Sequence, residues 1–207
     1  MNQLELFVYL LPVLLAAMTL HELAHAYTAT YLGDPTPREH GRLTLNPLAH
    51  LDPLGTGMFV VTYFLSSFVF GWAKPVLVQP QYFRRPKQAM ALVAVAGPVT
   101  NFLVALACVA LLVHREFGEV ATNVLLRSYE INLVLGIFNL LPIPPLDGSR
   151  IVGALMSDAA YVRWSALDQY GMLAVFALIV FFREEFAQVI GGAFEHSTTV
   201  MVTLVGG

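Results

Sequence analysis

Apolar and polar positions along the chain fall into long blocks rather than narrow amphipathic stripes. Residues 4–32 and 89–113 are apolar runs, each long enough for the roughly 20 residues that cross about 30 Å of hydrocarbon. A third run, residues 131–141, extends backward into 122–126, and a fourth covers residues 170–182 once lengthened by a turn or two at its start. Residues 54–72 are also apolar but are broken by Gly55, Gly57, Ser66, Ser67 and Gly71. The tail, residues 184–207, is weakly amphipathic, and its pattern does not say whether it crosses, lies on a surface or frays. Between these blocks, residues 33–53 (GDPTPREHGRLTLNPLAHLDP) are rich in Pro and Gly around a short extended core at 42–45. Residues 72–86 (WAKPVLVQPQYFRRP) alternate apolar residues between prolines, which suits an edge strand. The pattern predicts an all-α polytopic membrane protein with about four to six transmembrane helices. A short membrane-associated β-hairpin or re-entrant region is expected between the first and second full spans. With no internal repeat or linker, residues 1–207 are expected to form one domain.

Composition sharpens this. The chain is 57% hydrophobic and only 12% charged, whereas soluble domains carry about a quarter charged residues. A formal charge of -3 gives no reason to expect nucleic acid as a partner; the expected partner is the lipid bilayer. The single cysteine, Cys108, cannot form an internal disulfide. The first 20 residues have no basic leader and no small-residue cleavage site, so a retained helix is expected rather than a signal peptide.

Basic residues test the topology. If residues 54–72 cross fully, one side holds Lys74, Arg84, Arg85, Lys87, Arg150 and Arg163 and the other holds Arg38, Arg42, Arg115, Arg127 and Arg183. That split is nearly even. If residues 54–72 dip in and return, Arg38 and Arg42 join the first group and only Arg115, Arg127 and Arg183 remain opposite. The second arrangement obeys the positive-inside rule, with the N-terminus outside.

Into the first apolar run the chain inserts His21-Glu22-Leu23-Ala24-His25. Residues four apart share a helix face, so both imidazoles can converge on one cation. Glu22 points about 100° away, within reach of a metal-bound water. This is the H-E-x-x-H arrangement of zinc hydrolases, two ligands and a general base. Desolvating three ionisable groups inside a membrane helix without a purpose would cost several kcal/mol. A catalytic zinc takes a third protein ligand and keeps one open position. His40, His50, His114, His196, Asp34, Asp52, Asp147 and Asp158 are all available. Asp147 stands out because it ends the run NLLPIPPLDG, whose prolines cannot continue a helix, so the chain must unwind there.

HELAH, followed by AGPVTN (residues 96–101) and NLLPIPPLDG (residues 139–148), resembles the site-2 protease family of intramembrane zinc metalloproteases. The resemblance covers residues 4 to about 150 and resembles the small members that lack PDZ and CBS domains. It implies one Zn²⁺ per chain held by His21, His25 and Asp147, with Glu22 activating water and Asn139 positioning substrate or stabilising the oxyanion. It also implies a core helix at Gly97 and Asn101, with Asn101 a candidate for contact with substrate. The segments containing Leu43, Leu45 and Val76 would be edge strands that clamp an unwound substrate by strand addition. Substrates would be transmembrane proteins, cut within or near their membrane segments from a site toward the cytosolic side of the inner (plasma) membrane. Three alternatives stay open. One is a peptidase whose third ligand is Glu116, Glu119 or Glu130. A second is a catalytically silent metal-binding scaffold that binds transmembrane helices, and a third is a transporter. Oligomeric state is left undetermined.

Overall fold

Apolar length explains the two longest helices, and the polar punctuation between blocks explains most of the breaks. The computed structural model describes residues 3–66 and 69–206. Among these the chain forms α1 (Gln3–Tyr31), α2 (Thr36–Glu39), α3 (Pro53–Leu65), α4 (Pro86–His114) and α5 (Glu119–Asn139). It continues through α6 (Asp147–Ala154), α7 (Asp158–Ser165), α8 (Asp168–Phe181) and α9 (Arg183–Leu204). Short 3₁₀ turns occur at Pro47–His50 and Pro80–Tyr82. Ser67 and Gly207, which fall in two of the blocks read above, lie outside the described residues.

α4 is central and packs against α1, α5 and α6. Small side chains let these helices approach closely. Ala17, Ala26 and Ala29 of α1 are buried, as are Ala89, Ala94 and Ala105 of α4. The core continues through Cys108 and Val109 of α4, Tyr129, Leu133 and Ile137 of α5, and Met201 of α9. Outward-facing Leu92 and Leu103 of α4 are more than half exposed, as a helix surface that meets lipid would be.

Leu6–Tyr31 and Pro86–His114 are long and apolar enough to cross a membrane. A third span exists if α7 and α8, bent by 61° at their junction, count as one. Among the described residues, length and composition thus support two or three spans rather than the expected four to six. α5 has 21 residues, long enough to cross, but Arg127, Ser128, Glu130 and Asn132 dilute its apolar character. The tail is helical and runs antiparallel to α5. Phe186 meets Phe138 edge to face with ring centroids 6.2 Å apart, and the Tyr129 hydroxyl bonds that of Thr198. Arg183 therefore sits by the end of α5 that holds Asn139, not with Arg115 before its start.

α3 runs back along α1. Phe7 packs on Phe59, Tyr63 and Phe64 with centroid separations of 6.0, 5.1 and 5.1 Å. Gln3 Nε2 donates to the Tyr63 carbonyl (3.0 Å), and the Tyr63 hydroxyl donates to the Gln3 carbonyl (3.1 Å). The chain then returns in extended form beside α3, with the Phe70 N–H donating to Thr62 Oγ1 at 2.9 Å. Residues 53–79 thus come back to the end of the bundle from which they started. The β-hairpin expected here does not form. Among the described residues there is no strand, only a single antiparallel bridge between Leu51 and Ala73. Pro47, Pro53, Pro75 and Pro80 remove backbone donors that a ladder requires. Buried side chains tie the segments instead. Arg42 donates to the carbonyls of Ala49 (2.5 Å) and Pro75 (3.0 Å), and Asp34 accepts from the N–H groups of Thr36 (2.9 Å) and Gln79 (2.7 Å).

Candidate metal centre

His21 and His25 lie one turn apart on α1, both buried, with ring centroids 4.6 Å apart at 87°. Asp147 begins α6. It reaches the imidazoles because residues 140–146 fold into consecutive tight turns, with Ile143 N–H bonding Leu141 O and Leu146 N–H bonding Ile143 O, each at 2.8 Å. A Cβ on Gly148 would lie 2.1 Å from the Leu140 carbonyl oxygen, so only glycine lets the turn close there. Asp147 Oδ2 stands 3.1 Å from His21 Nε2 and 3.3 Å from His25 Nε2. Gly97 of α4 forms the floor. A Cβ there would come within 2.6 Å of both rings, so glycine is what lets α4 pack directly against the imidazoles.

The hydrogen-bond pattern decides what these atoms can hold. His25 Nδ1 lies 2.7 Å from the Val93 carbonyl, an acceptor, so that nitrogen carries the proton and Nε2 presents a lone pair. His21 Nδ1 lies 2.5 Å from Asn101 Oδ1 with the same consequence. Asp147 Oδ2 is buried and has no hydrogen-bond donor. Three ligand atoms, all within 4.8 Å of one another, therefore turn lone pairs toward one point. Two neutral imidazoles and a carboxylate suit a divalent cation such as Zn²⁺, with a fourth position open as in catalytic zinc sites.

The triad opens onto a cavity of about 730 Å³ walled by α1, the return segment, the end of α5 and α8. Glu22 lines it, and its Oε2 accepts the Val76 N–H at 3.0 Å. Asn139 lines it too, with Nδ2 donating to the Leu135 carbonyl at 3.0 Å. The structure thus gathers His21, His25, Asp147, Glu22, Asn139 and Val76 around one chamber. It does not bring the remaining candidates there. Asn101 is fully buried behind His21, bonded to its ring, and does not line the cavity. Leu43 is absent from the lining, and Leu45 is 67% exposed over a separate apolar groove beside Leu11 and Leu15, because residues 42–45 bend rather than pair as a strand.

Several of the other possible ligands are engaged elsewhere. Asp52 caps α3 by accepting the Gly55 N–H (2.8 Å), and His50, 2% exposed, donates from Nε2 to the Thr44 carbonyl (3.0 Å). Glu130 pairs with Arg127 at 2.5 Å. Among the described residues no other group of histidine, cysteine, aspartate or glutamate side chains gathers as a metal site.

Sequence reading missed Asn132, whose side chain bonds Asn101. An isolated amide in the apolar stretch INLVLG was the available signal.

Comparison with known proteins follows the same lines. The model of peptidase family M50 matches residues 116–183, which include Asn139 and Asp147. A relative from Bacillus subtilis (strain 168), named "Putative zinc metalloprotease YwhC", is 41% identical over 186 residues, covering 86% of this chain and 82% of its own. The chain belongs to peptidase family M50, the site-2 protease family. Another M50 relative, "Putative zinc metalloprotease Rip2" of Mycolicibacterium smegmatis, is 28% identical over 185 residues, 87% of this chain and 70% of its own. "Zinc metalloprotease MJ0392" of Methanocaldococcus jannaschii is 35% identical over 75 residues, 35% of this chain and 21% of its own. No solved structure matches. Family membership and the two long apolar helices make this a membrane metalloprotease.

Proposed function

We propose that this M50 chain is an intramembrane zinc endopeptidase that cuts membrane-protein substrates within or near their transmembrane segments. The observation that carries the reading is the convergence of His21 Nε2, His25 Nε2 and Asp147 Oδ2 in a chamber lined mostly by apolar side chains. His21, His25 and Asp147 would hold one zinc per chain. When bound, zinc polarises the scissile carbonyl and makes water acidic enough to attack near neutral pH. Glu22 takes the proton from that water and delivers it to the leaving amide nitrogen. Asn139, at the chamber wall, positions the substrate backbone or the developing oxyanion. The return segment offers Val76 as a backbone contact for an extended substrate, which must unwind first because a helix hides its carbonyls in intrahelical bonds.

The lateral walls fit membrane substrates because their lining is leucine, phenylalanine, valine and methionine. The clustering of Arg38, Arg42, Lys74, Arg84, Arg85, Lys87, Arg150 and Arg163 supports a site facing the cytosolic side of the plasma membrane.

Cleavage of a model transmembrane substrate by the purified protein tests the proposal. Glu22→Gln should keep zinc and fold while turnover falls by about 10²–10⁴-fold. Undiminished turnover by that variant, in a preparation free of other proteases, would remove Glu22 from the mechanism. A wild type that binds zinc but cleaves nothing would favour the silent scaffold.

A further inference from the structure

His25 and His21 achieve the same tautomer by different means. His25 leans directly on a backbone carbonyl, Val93 O, which can only accept. His21 leans on an amide side chain, Asn101, which could equally turn its NH₂ toward the ring. In that flipped state His21 Nδ1 would become the acceptor, and the ring proton would move to Nε2, the atom that faces Asp147. The ligand would then be lost without any atom moving far.

What prevents the flip lies one helix further back. Asn101 Nδ2 donates to Asn132 Oδ1 at 2.8 Å and faces the Ala17 carbonyl at 3.5 Å. Asn132 Nδ2 in turn donates to the Ser128 carbonyl at 2.8 Å. Both amides are buried, at 0% and 2% exposure, so no water competes for them. The chain of donors therefore ends on a backbone oxygen that cannot donate, and its direction is fixed throughout. Ser128 C=O orients Asn132, Asn132 orients Asn101, and Asn101 orients the His21 ring.

We propose that Asn132 of α5 is a positioning residue for the metal centre: through Asn101 it sets the tautomer of His21 and so its capacity to ligate. The inference rests on the zinc reading above. Such outer partners of a metal-bound histidine are typically worth 10–100-fold in metal affinity.

The test is zinc affinity of the full-length protein in detergent, measured by competition with a chromophoric chelator, with thermal melting as a check of fold. Asn132→Leu and the smaller Asn132→Ala both remove the acceptor and should weaken zinc binding by about 10–100-fold. Asn132→Asp keeps the acceptor and should stay close to wild type. The discriminating variant is Asn101→Asp combined with Asn132→Ala. A carboxylate accepts through either oxygen, so it has no wrong orientation and no need of Asn132, and zinc affinity should return to near the wild-type value. A purely structural role would not be rescued by placing a second defect beside the first. Normal zinc binding by the folded Asn132→Ala protein, or failure of the rescue in a folded double variant, would overturn the inference alone. A wild type that binds no zinc would overturn the proposed function, and this inference with it.

Discussion

The chamber has two walls built on opposite principles. On one side, α1 presents two buried imidazoles whose outer nitrogens are satisfied by neutral acceptors of α4, Asn101 Oδ1 and the Val93 carbonyl. On the other, the return segment from Ala73 to Gln79 has no helix or sheet of its own. It is held at Ala73 by a single bridge to Leu51, at Pro75 by Arg42, at Val76 by Glu22 and at Gln79 by Asp34. The first wall is regular backbone carrying special side chains. The second is irregular backbone that special side chains hold in place, and such backbone is tolerated at membrane depth only where it packs on protein or lines a wet cavity. The difference teaches which wall is fixed for chemistry and which is left with backbone to offer.

Substitutions can break this contrast, and the largest effect should come from the metal wall. Asp147→Ala removes the carboxylate from the triad, so bound zinc measured by elemental analysis should fall from one equivalent per chain toward none, and cleavage should vanish with it. A stoichiometry unchanged by this substitution would dissolve the metal centre as drawn. Gly97→Ala should come next. Its new Cβ would meet both rings at 2.6 Å, so the imidazoles must shift, with zinc affinity down by about 10–100-fold and stability down by about 1–3 kcal/mol from overpacking.

Arg42→Met should act on the other wall only. It strips donors from the Ala49 and Pro75 carbonyls, an effect of about 1–3 kcal/mol for buried groups. Hydrogen exchange should quicken across residues 73–79 while zinc content stays constant. Loss of zinc in this variant would show that the walls are not separable. The smallest effect belongs to Asp158→Asn. Asp158 pairs with Lys87 at 2.7 Å but is almost fully exposed, with 93% of its side-chain surface open to solvent. Salt screens such a pair. The melting temperature should shift little in low salt and not at all in high salt, with neither wall affected.

The two walls also differ in how legible they were. HELAH places two ligands and a carboxylate within five residues, and helix periodicity alone sets their directions. PIPPLDG announces its own break through its prolines. Those features are local, and the structure brings them into one cluster. The brace behind His21 left no local pattern, because Asn101 and Asn132 come from two helices and meet only after packing. The return wall misled the reading for a related reason. Alternating apolar residues at 72–78 look like a strand, but the prolines that bound them remove the ladder, and what substitutes is Arg42 and Asp34 reaching across tens of residues. The polar residues of α5 had a similar effect on the count of spans: a helix was expected there and found, but Arg127 and Glu130 keep it below the apolar content of a clear crossing.

The order of the ligands along the polypeptide has a consequence for biosynthesis. The ribosome delivers both histidines in the first helix and the aspartate only in the sixth. At about 5–20 residues per second of elongation, a nascent molecule spends seconds with only two of the three clustered side chains in place. If the cluster holds zinc as proposed, the site cannot be completed before Asp147 has been synthesised.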